Sequence, residues 1–152
     1  MAFEATAGNG GGLIIDSSAD VGGAELGPRP MELVLLALAG CTGMSVMSLL
    51  RRSVGQVVDY QVTAKGRQRE THPRIFSSIA VEHAICGQGI TAGSVARAVT
   101  FAATRFCPVA AMLGEVAEIT ETWVLIDAAS GDEVGRGEGD PSRALPFAGE
   151  GR

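Results

Sequence analysis

Two cysteines in or beside helix-forming sequence are the residues most able to take part in a reaction. Cys41 lies near the middle of the apolar run MELVLLALAGCTGMSVMSLL, and Cys107 directly precedes Pro108 in RFCPVAAML. A lone cysteine on an apolar helix is most often an inert buried side chain. Cys107 differs, because backbone N–H groups at the start of a helix favour a thiolate, which predicts a lowered pKa for this thiol. Two thiols on separate helices can also form a disulfide if they approach closely enough.

The other residues able to bind metals give a weaker signal. Cys86 ends a predicted strand beside Gly87, and we interpret it as structural. Neither His72 nor His83 stands at ligand spacing from a cysteine, and the sequence contains no CxxC pair. We therefore predict no metal site and no cofactor.

Composition and charge narrow the class of protein. The chain has 152 residues, a net charge of −5 and a pI near 5.0, so it lacks the basic excess of proteins that bind nucleic acids or anionic membranes. Three cysteines do not form the disulfide framework of a small secreted protein. The N-terminal MAFEATAGNGGG has neither the basic nor the apolar segment of a targeting sequence. We expect a cytoplasmic protein.

Turn signals and hydrophobic periodicity predict an α+β chain with the order β-β-α-β-β-α-α-β. The elements predicted in chain order are a hairpin of FEATA and LIIDSS, a helix from Pro30 to about Ser53, strands in QVVDYQVTAKGRQRE and RIFSSIAVEHAI, a helix N-capped by Thr91, a short helix PVAAML, and a strand in VAEITETWVLIDA. We expect the helices to cover one face of an antiparallel sheet. Residues 1–127 would form the domain, and the Gly-rich, charged residues 128–152 would form a disordered tail.

The first long helix carries no charge between Glu32 and Arg51. Its 18 residues from Leu33 to Leu50 reach the lower limit for spanning a bilayer, but the polar residues in its second half and the absence of flanking Trp or Tyr argue against a membrane span. A helix apolar on all sides must be buried on all sides, and one sheet cannot do this in so small a chain. We therefore predict a homodimer, with Ala37, Gly40, Gly43 and Ser48 allowing close approach.

Three motifs together resemble the OsmC/Ohr family of osmotically inducible and organic hydroperoxide resistance proteins. They are GPRPMELVLLALAGCTGMSVMSLLRR, HPRIFSSIAVEHAICGQGI and VARAVTFAATRFCPVAAML, and the resemblance extends from about Leu13 to Val124. It implies an OsmC-like α+β fold, in which two central helices pack on antiparallel sheets within an intertwined homodimer. The PMEL sequence is similar to a divergent OsmC-like branch.

The resemblance also implies a reaction. Cys41 matches the peroxidatic cysteine of the family, and Cys107 matches the resolving cysteine of its CP motif. The expected activity is that of a peroxiredoxin-like oxidoreductase in the oxidative stress response, reducing organic hydroperoxides with electrons from an external dithiol and without a metal or other cofactor.

The peroxidase members of the family also hold an arginine beside the attacking thiol by means of a glutamate. Met31 occupies the matching glutamate position, and Glu32 is the adjacent candidate supporting residue. The arginines considered as the cation are Arg29, Arg67, Arg69, Arg97 and Arg105. The alternative is a protein of the same fold that binds a small apolar molecule or senses redox state without efficient peroxidase activity.

Overall fold

The computed structural model describes residues 1–140, which form an α+β structure. Its elements in chain order are β1 (Phe3–Thr6), β2 (Gly12–Ile15), α1 (Pro30–Leu50), β3 (Gln56–Gln68), β4 (Phe76–Gln88), α2 (Ala92–Phe101), α3 (Pro108–Gly114), β5 (Glu118–Asp127) and β6 (Glu133–Glu138). The predicted order of elements is confirmed as far as β5. The chain divides into two compact units, one of residues 1–37 and one beginning at Leu38.

The first unit contains a hairpin and a loop organised by one carboxylate. Strands β1 and β2 pair antiparallel, with Phe3 opposite Ile15. Asp16 follows β2 and is 2% exposed, and its carboxylate accepts hydrogen bonds from the backbone N–H groups of Ala24, Ser17 and Leu26. These donors, above all Ala24, lower the pKa of Asp16 to about 2. One ionised side chain thus ties together the loop before α1.

Removing this carboxylate should loosen the loop. Because the folded pKa of Asp16 lies below its ordinary value of 3.8, its contribution is complete above about pH 4 and is lost as the pH falls toward 2. We expect Asp16→Ala to speed amide hydrogen exchange at Ala24 and Leu26 at pH 7. Asp132→Ala serves as the control. Equal exchange rates at those two amides in the Asp16→Ala variant and the parent protein would show that the carboxylate does not hold the loop.

The second unit is built on a four-stranded sheet in the order β3-β4-β5-β6. Strands β3 and β4 are antiparallel, as are β5 and β6, but β4 and β5 are parallel. The predicted antiparallel pairing is therefore confirmed between β3 and β4, but the sheet as a whole is mixed, because β5 joins β4 in parallel. The segment from Thr91 to Ala117 contains α2 and α3, and a parallel pair requires a long crossover connection of this kind.

One face of this sheet forms the core with the helices. Burial alternates along β4, and its inward side chains include Val81, His83 and Ile85. The main apolar cluster joins these strands to α1 and α2 through Val46, Leu50, Ile85, Ile90, Val95, Ala98, Val99, Ala102, Trp123 and Leu125. Since α1 and α2 contribute to the same cluster, the sheet supports the residues on both helices.

Strand β6 lies within the segment predicted to be a disordered tail. It pairs with β5 from Thr122 opposite Glu138 to Ile126 opposite Glu133. The prediction is therefore wrong for residues 133–138, while residues 141–152 of the predicted tail lie outside the described residues. The glycines that suggested disorder serve packing, because a Cβ on Gly137 would lie 2.9 Å from Trp123 Cζ2.

Helix α1 is long and apolar enough to cross a membrane by length and composition, with a mean hydropathy of 2.1 over its 18-residue window. The helix of a soluble core passes the same test. Only 33% of that window is buried within the chain. Its buried residues, Leu38, Thr42, Gly43, Val46 and Leu50, form one face, while Ala37, Gly40, Met44 and Ser48 are exposed. Gly43 therefore faces the sheet of its own chain, and only the other three of the predicted small residues remain available to a partner.

Candidate active site

Cys41 opens onto a cavity along one face of α1. The cavity has a volume of about 390 Å³ and is lined by Cys41, Met44, Ser45, Ser48, Leu49, Arg52 and Phe106. The lining residues between Cys41 and Arg52 are spaced three or four positions apart. They therefore lie on one side of α1 and of the segment that continues it. Cys41 itself is half-buried and carries a free thiol. A small apolar molecule that entered this cavity would meet the sulfur.

Cys107 lies deeper, at the N-cap of α3. Its side chain is 3% exposed, and the backbone N–H of Ala110 donates to its Sγ at 3.3 Å. Its thiol is also close enough to Cys41 for the two side chains to interact. The structure therefore brings the two predicted cysteines together, although their catalytic roles remain a prediction.

Burial controls the protonation of Cys107. Loss of solvation, together with the interaction with Cys41, raises its pKa to about 12, and the Ala110 N–H only partly opposes these two effects. The prediction of a lowered pKa is therefore wrong, because the helix N-terminus is outweighed by burial. A thiol that stays protonated at neutral pH is a poor first nucleophile.

Other residues named from the sequence lie elsewhere. Cys86 is a half-buried free thiol on β4. Glu32 is in the first turn of α1, where its carboxylate accepts a hydrogen bond from Arg29 N at 2.8 Å, half of a capping box. The contact gives Glu32 a role in starting the helix.

The cation that lines the Cys41 cavity is one that the sequence analysis did not select. Arg52 lies in the cavity wall, whereas none of the five candidate arginines is in that lining. Arg97 shares a neighbouring cavity of about 270 Å³ with Arg52, and the guanidinium of Arg105 lies 5.7 Å from the ring centre of Phe101. Helical spacing could have identified Arg52, since it follows Cys41 by three turns on the same face.

A buried chain of polar side chains lies beside the thiols. Thr42 Oγ1 donates to the Glu121 carboxylate, with distances of 3.3 and 3.2 Å to its two oxygens, and Glu121 Oε2 lies 3.0 Å from His83 Nε2. His83 Nδ1 lies 2.6 Å from the Tyr60 hydroxyl. The side chains of His83 and Glu121 are 0% and 3% exposed. These four residues, Thr42, Glu121, His83 and Tyr60, are called the polar chain below.

The donors and acceptors of the polar chain fit one arrangement. In the tautomer with a proton on Nε2, His83 donates to Glu121, and its Nδ1 accepts from Tyr60. Burial, together with the negative charge of Glu121, raises the pKa of Tyr60, so its hydroxyl keeps the proton it donates. The sequence analysis considered His83 as a metal ligand and rejected that role. The sequence pattern that could have indicated the polar chain is a histidine and a glutamate at inward positions of neighbouring strands.

Glu121 also lines a second cavity of about 490 Å³ between α3 and the sheet. Its wall includes Thr100, Thr104, Ala110 and Glu138. Within residues 1–140, no group of three or more His, Cys, Asp or Glu side chains is arranged to hold a metal ion.

Comparison with known proteins finds relatives of this chain in sequence and in structure. A family model described as OsmC-like protein matches residues 22–122. Protein YhfA of Escherichia coli K12 is 37% identical over 101 residues, 66% of this chain and 75% of YhfA. A solved structure from structural genomics is 31% identical, with a TM-score of 0.75 over 84% of this chain and 92% of that one. An organic hydroperoxide resistance protein from Legionella pneumophila shares the fold at 15% identity, with a TM-score of 0.56 over 80% of this chain and 93% of that protein.

Proposed function

The chain belongs to the OsmC-like family, and from this premise we propose that it is a thiol-dependent reductase of organic hydroperoxides. Cys41 attacks the peroxide, and Cys107 resolves the product to a disulfide. The observation that carries the proposal is that Cys41 lines a cavity while its side chain interacts with that of Cys107. A resolving thiol must be this close to the attacking one.

The difference in exposure between the two thiols supports the assignment of roles. Cys41 is half-buried and reaches the cavity, whereas Cys107 is buried and its raised pKa keeps it protonated. A substrate therefore meets Cys41 first. Met44, Leu49 and Phe106 supply apolar lining, which favours an organic hydroperoxide over hydrogen peroxide.

The proposed reaction has three balanced steps. The Cys41 thiolate attacks the terminal peroxide oxygen, the O–O bond breaks, and the alkoxide takes a proton to leave as an alcohol. The sulfur of Cys107, deprotonated as it reacts, then attacks the Cys41 sulfenic acid, forming the disulfide and releasing water. An external dithiol reduces this disulfide by two exchange steps and is itself oxidised to a disulfide.

Arg52 supplies positive charge to the first step in this proposal, because it is the cation in the wall of the Cys41 cavity. We expect Arg52→Ala to slow the reaction of Cys41 with cumene hydroperoxide by about tenfold, since developing negative charge loses a nearby cation. Arg51→Ala, at the neighbouring position outside the cavity lining, is the matched control. Stopped-flow measurement of thiol oxidation tests this, and equal rates for the two variants would exclude a role for Arg52.

A second copy of the chain is the proposed partner. The exposed face of α1 includes Met44, which is 72% exposed, and the nearby Phe106 is 55% exposed, and both also line the Cys41 cavity. Covering them would remove apolar surface from water and close the cavity. We expect light scattering after gel filtration to give twice the mass of 15.6 kDa, and Met44→Glu to shift that mass toward the monomer. A parent protein that is monomeric at micromolar concentration would contradict the dimer.

Repeated consumption of hydroperoxide distinguishes a reductase from a protein that only binds a small apolar molecule. We expect the protein, supplied with a dithiol such as dihydrolipoamide, to consume cumene hydroperoxide repeatedly and hydrogen peroxide more slowly. The same cavity also favours the second candidate, a protein that binds a small apolar molecule without reducing it. Saturable binding of cumyl alcohol with no dithiol-dependent peroxide consumption would support that candidate and exclude the reductase.

A further inference from the structure

The apolar character of α1 leaves its orientation on the sheet underdetermined. From Leu38 to Leu50 the helix has no charged residue, and apolar side chains occur around its whole circumference. Hydrophobic burial is not directional, so it selects poorly among rotations of such a helix about its axis. A shift of one residue rotates a side chain by about 100° and moves it by about 1.5 Å along the axis. Something more specific must fix the direction of Cys41.

Thr42 supplies a directional contact at the residue next to Cys41. Among the described residues of α1, Thr42 is the one whose side chain forms a hydrogen bond to the sheet. Its hydroxyl donates to Glu121. Thr42 is completely buried, so water does not compete for this bond. Buried polar contacts of this kind can fix the register of an otherwise apolar interface.

The rest of the polar chain holds the acceptor in place. His83 donates to Glu121 and accepts from Tyr60, so the carboxylate is tied to β4 and β3 as well as to its own strand. Gly43 allows α1 to approach closely at the same point, because a Cβ there would lie 3.1 Å from Val62 Cγ2. The anchor of Thr42 therefore spans three strands.

We propose that Thr42, anchored by Glu121, is a positioning residue that directs Cys41 toward Cys107 for disulfide formation. The inference rests on the proposed function for its role in the catalytic cycle. Disulfide formation needs Cβ atoms about 3.5–4.5 Å apart and a restricted dihedral angle. A rotation of α1 that still buries its apolar residues would turn Cys41 away from its partner. The polar chain prevents that rotation.

The disulfide equilibrium with glutathione tests the proposal without using a peroxide. Two protein thiols and one oxidised glutathione give one protein disulfide and two reduced glutathione molecules, so the equilibrium constant measures how well the two sulfurs are placed. We expect Thr42→Val, which keeps the shape but removes the hydroxyl, to lower this constant by about tenfold, comparable to the loss of one hydrogen bond to a charged group. Thr42→Ser keeps the hydroxyl and should stay within about twofold of the parent, a difference well below that of one hydrogen bond.

Two further variants make the test decisive. Ser53→Ala removes a hydroxyl that donates to the Leu50 carbonyl at the end of α1, outside the lining of the Cys41 cavity, and it should leave the constant unchanged. Tyr60→Phe removes the far end of the polar chain at a half-buried site and should lower the constant by roughly threefold, so it also tests the proposal if Thr42→Val does not fold. A folded Thr42→Val or Tyr60→Phe protein with the parent's constant would overturn the proposal. If the parent forms the disulfide with glutathione but not with hydroperoxide, the proposed function fails while the positioning role stands.

Discussion

Replacing Cys41 with serine is expected to lower the rate of cumene hydroperoxide consumption by a factor on the order of a thousand or more. A serine hydroxyl remains protonated at neutral pH and does not attack the O–O bond. Replacing Cys107 instead should leave the first step intact but stop the cycle. In Cys107→Ser the Cys41 sulfenic acid should accumulate, and dimedone can trap it because the resolving thiol is gone.

The control for both variants is Cys86→Ser, which removes the third thiol. Cys86 lies on β4 and is absent from the lining of the Cys41 cavity. Its replacement should leave peroxide consumption within about twofold of the parent, as expected for a site outside the reacting group. A Cys41→Ser protein that consumes peroxide as fast as Cys86→Ser would rule out Cys41 as the nucleophile.

Replacing His83 with leucine is expected to lower the free energy of unfolding by about 3 kcal/mol or more. The substitution leaves the Glu121 carboxylate buried with Thr42 as its remaining side-chain donor, and removing one partner of a buried pair is strongly destabilising. Urea unfolding with excess reductant measures the effect. His72→Leu, at an exposed histidine, is the matched control and should change stability by less than about 0.5 kcal/mol.

A double variant separates loss of the pair from loss of one partner. In His83→Leu/Glu121→Leu no charge is left buried, so we expect it to be more stable than His83→Leu alone. That recovery would show that the penalty comes from the uncompensated carboxylate. If His83→Leu is as stable as the parent, Glu121 does not depend on His83, and the polar chain does not act as one unit.

Much of the fold follows from local sequence signals. Pro30 starts α1, Thr91 caps α2 by accepting from Ser94 N, and Pro108 starts α3, as the sequence predicts. Strand β6 was missed because its glycines resemble a flexible segment. In the structure, Gly137 makes room for Trp123 and Gly135 makes room for Ala92, and no local pattern contains these long-range contacts.

The site was predictable in part. Cys41 and Cys107 were identified from the family resemblance and from the proline that follows Cys107. The polar chain was not, because linking Tyr60, His83 and Glu121 requires the pairing of three strands. The pKa of Cys107 was misjudged for a related reason, since burial depends on the packed structure while a helix N-terminus can be read locally.

The central claim is that Cys41 and Cys107 form a redox pair driven by hydroperoxide. The most direct measurement treats the fully reduced protein with one equivalent of cumene hydroperoxide, blocks the remaining thiols by alkylation, and maps the peptides by mass spectrometry. We expect a Cys41–Cys107 disulfide in most molecules within seconds, with Cys86 alkylated. Recovery of Cys41 and Cys107 as alkylated thiols after an hour would contradict it.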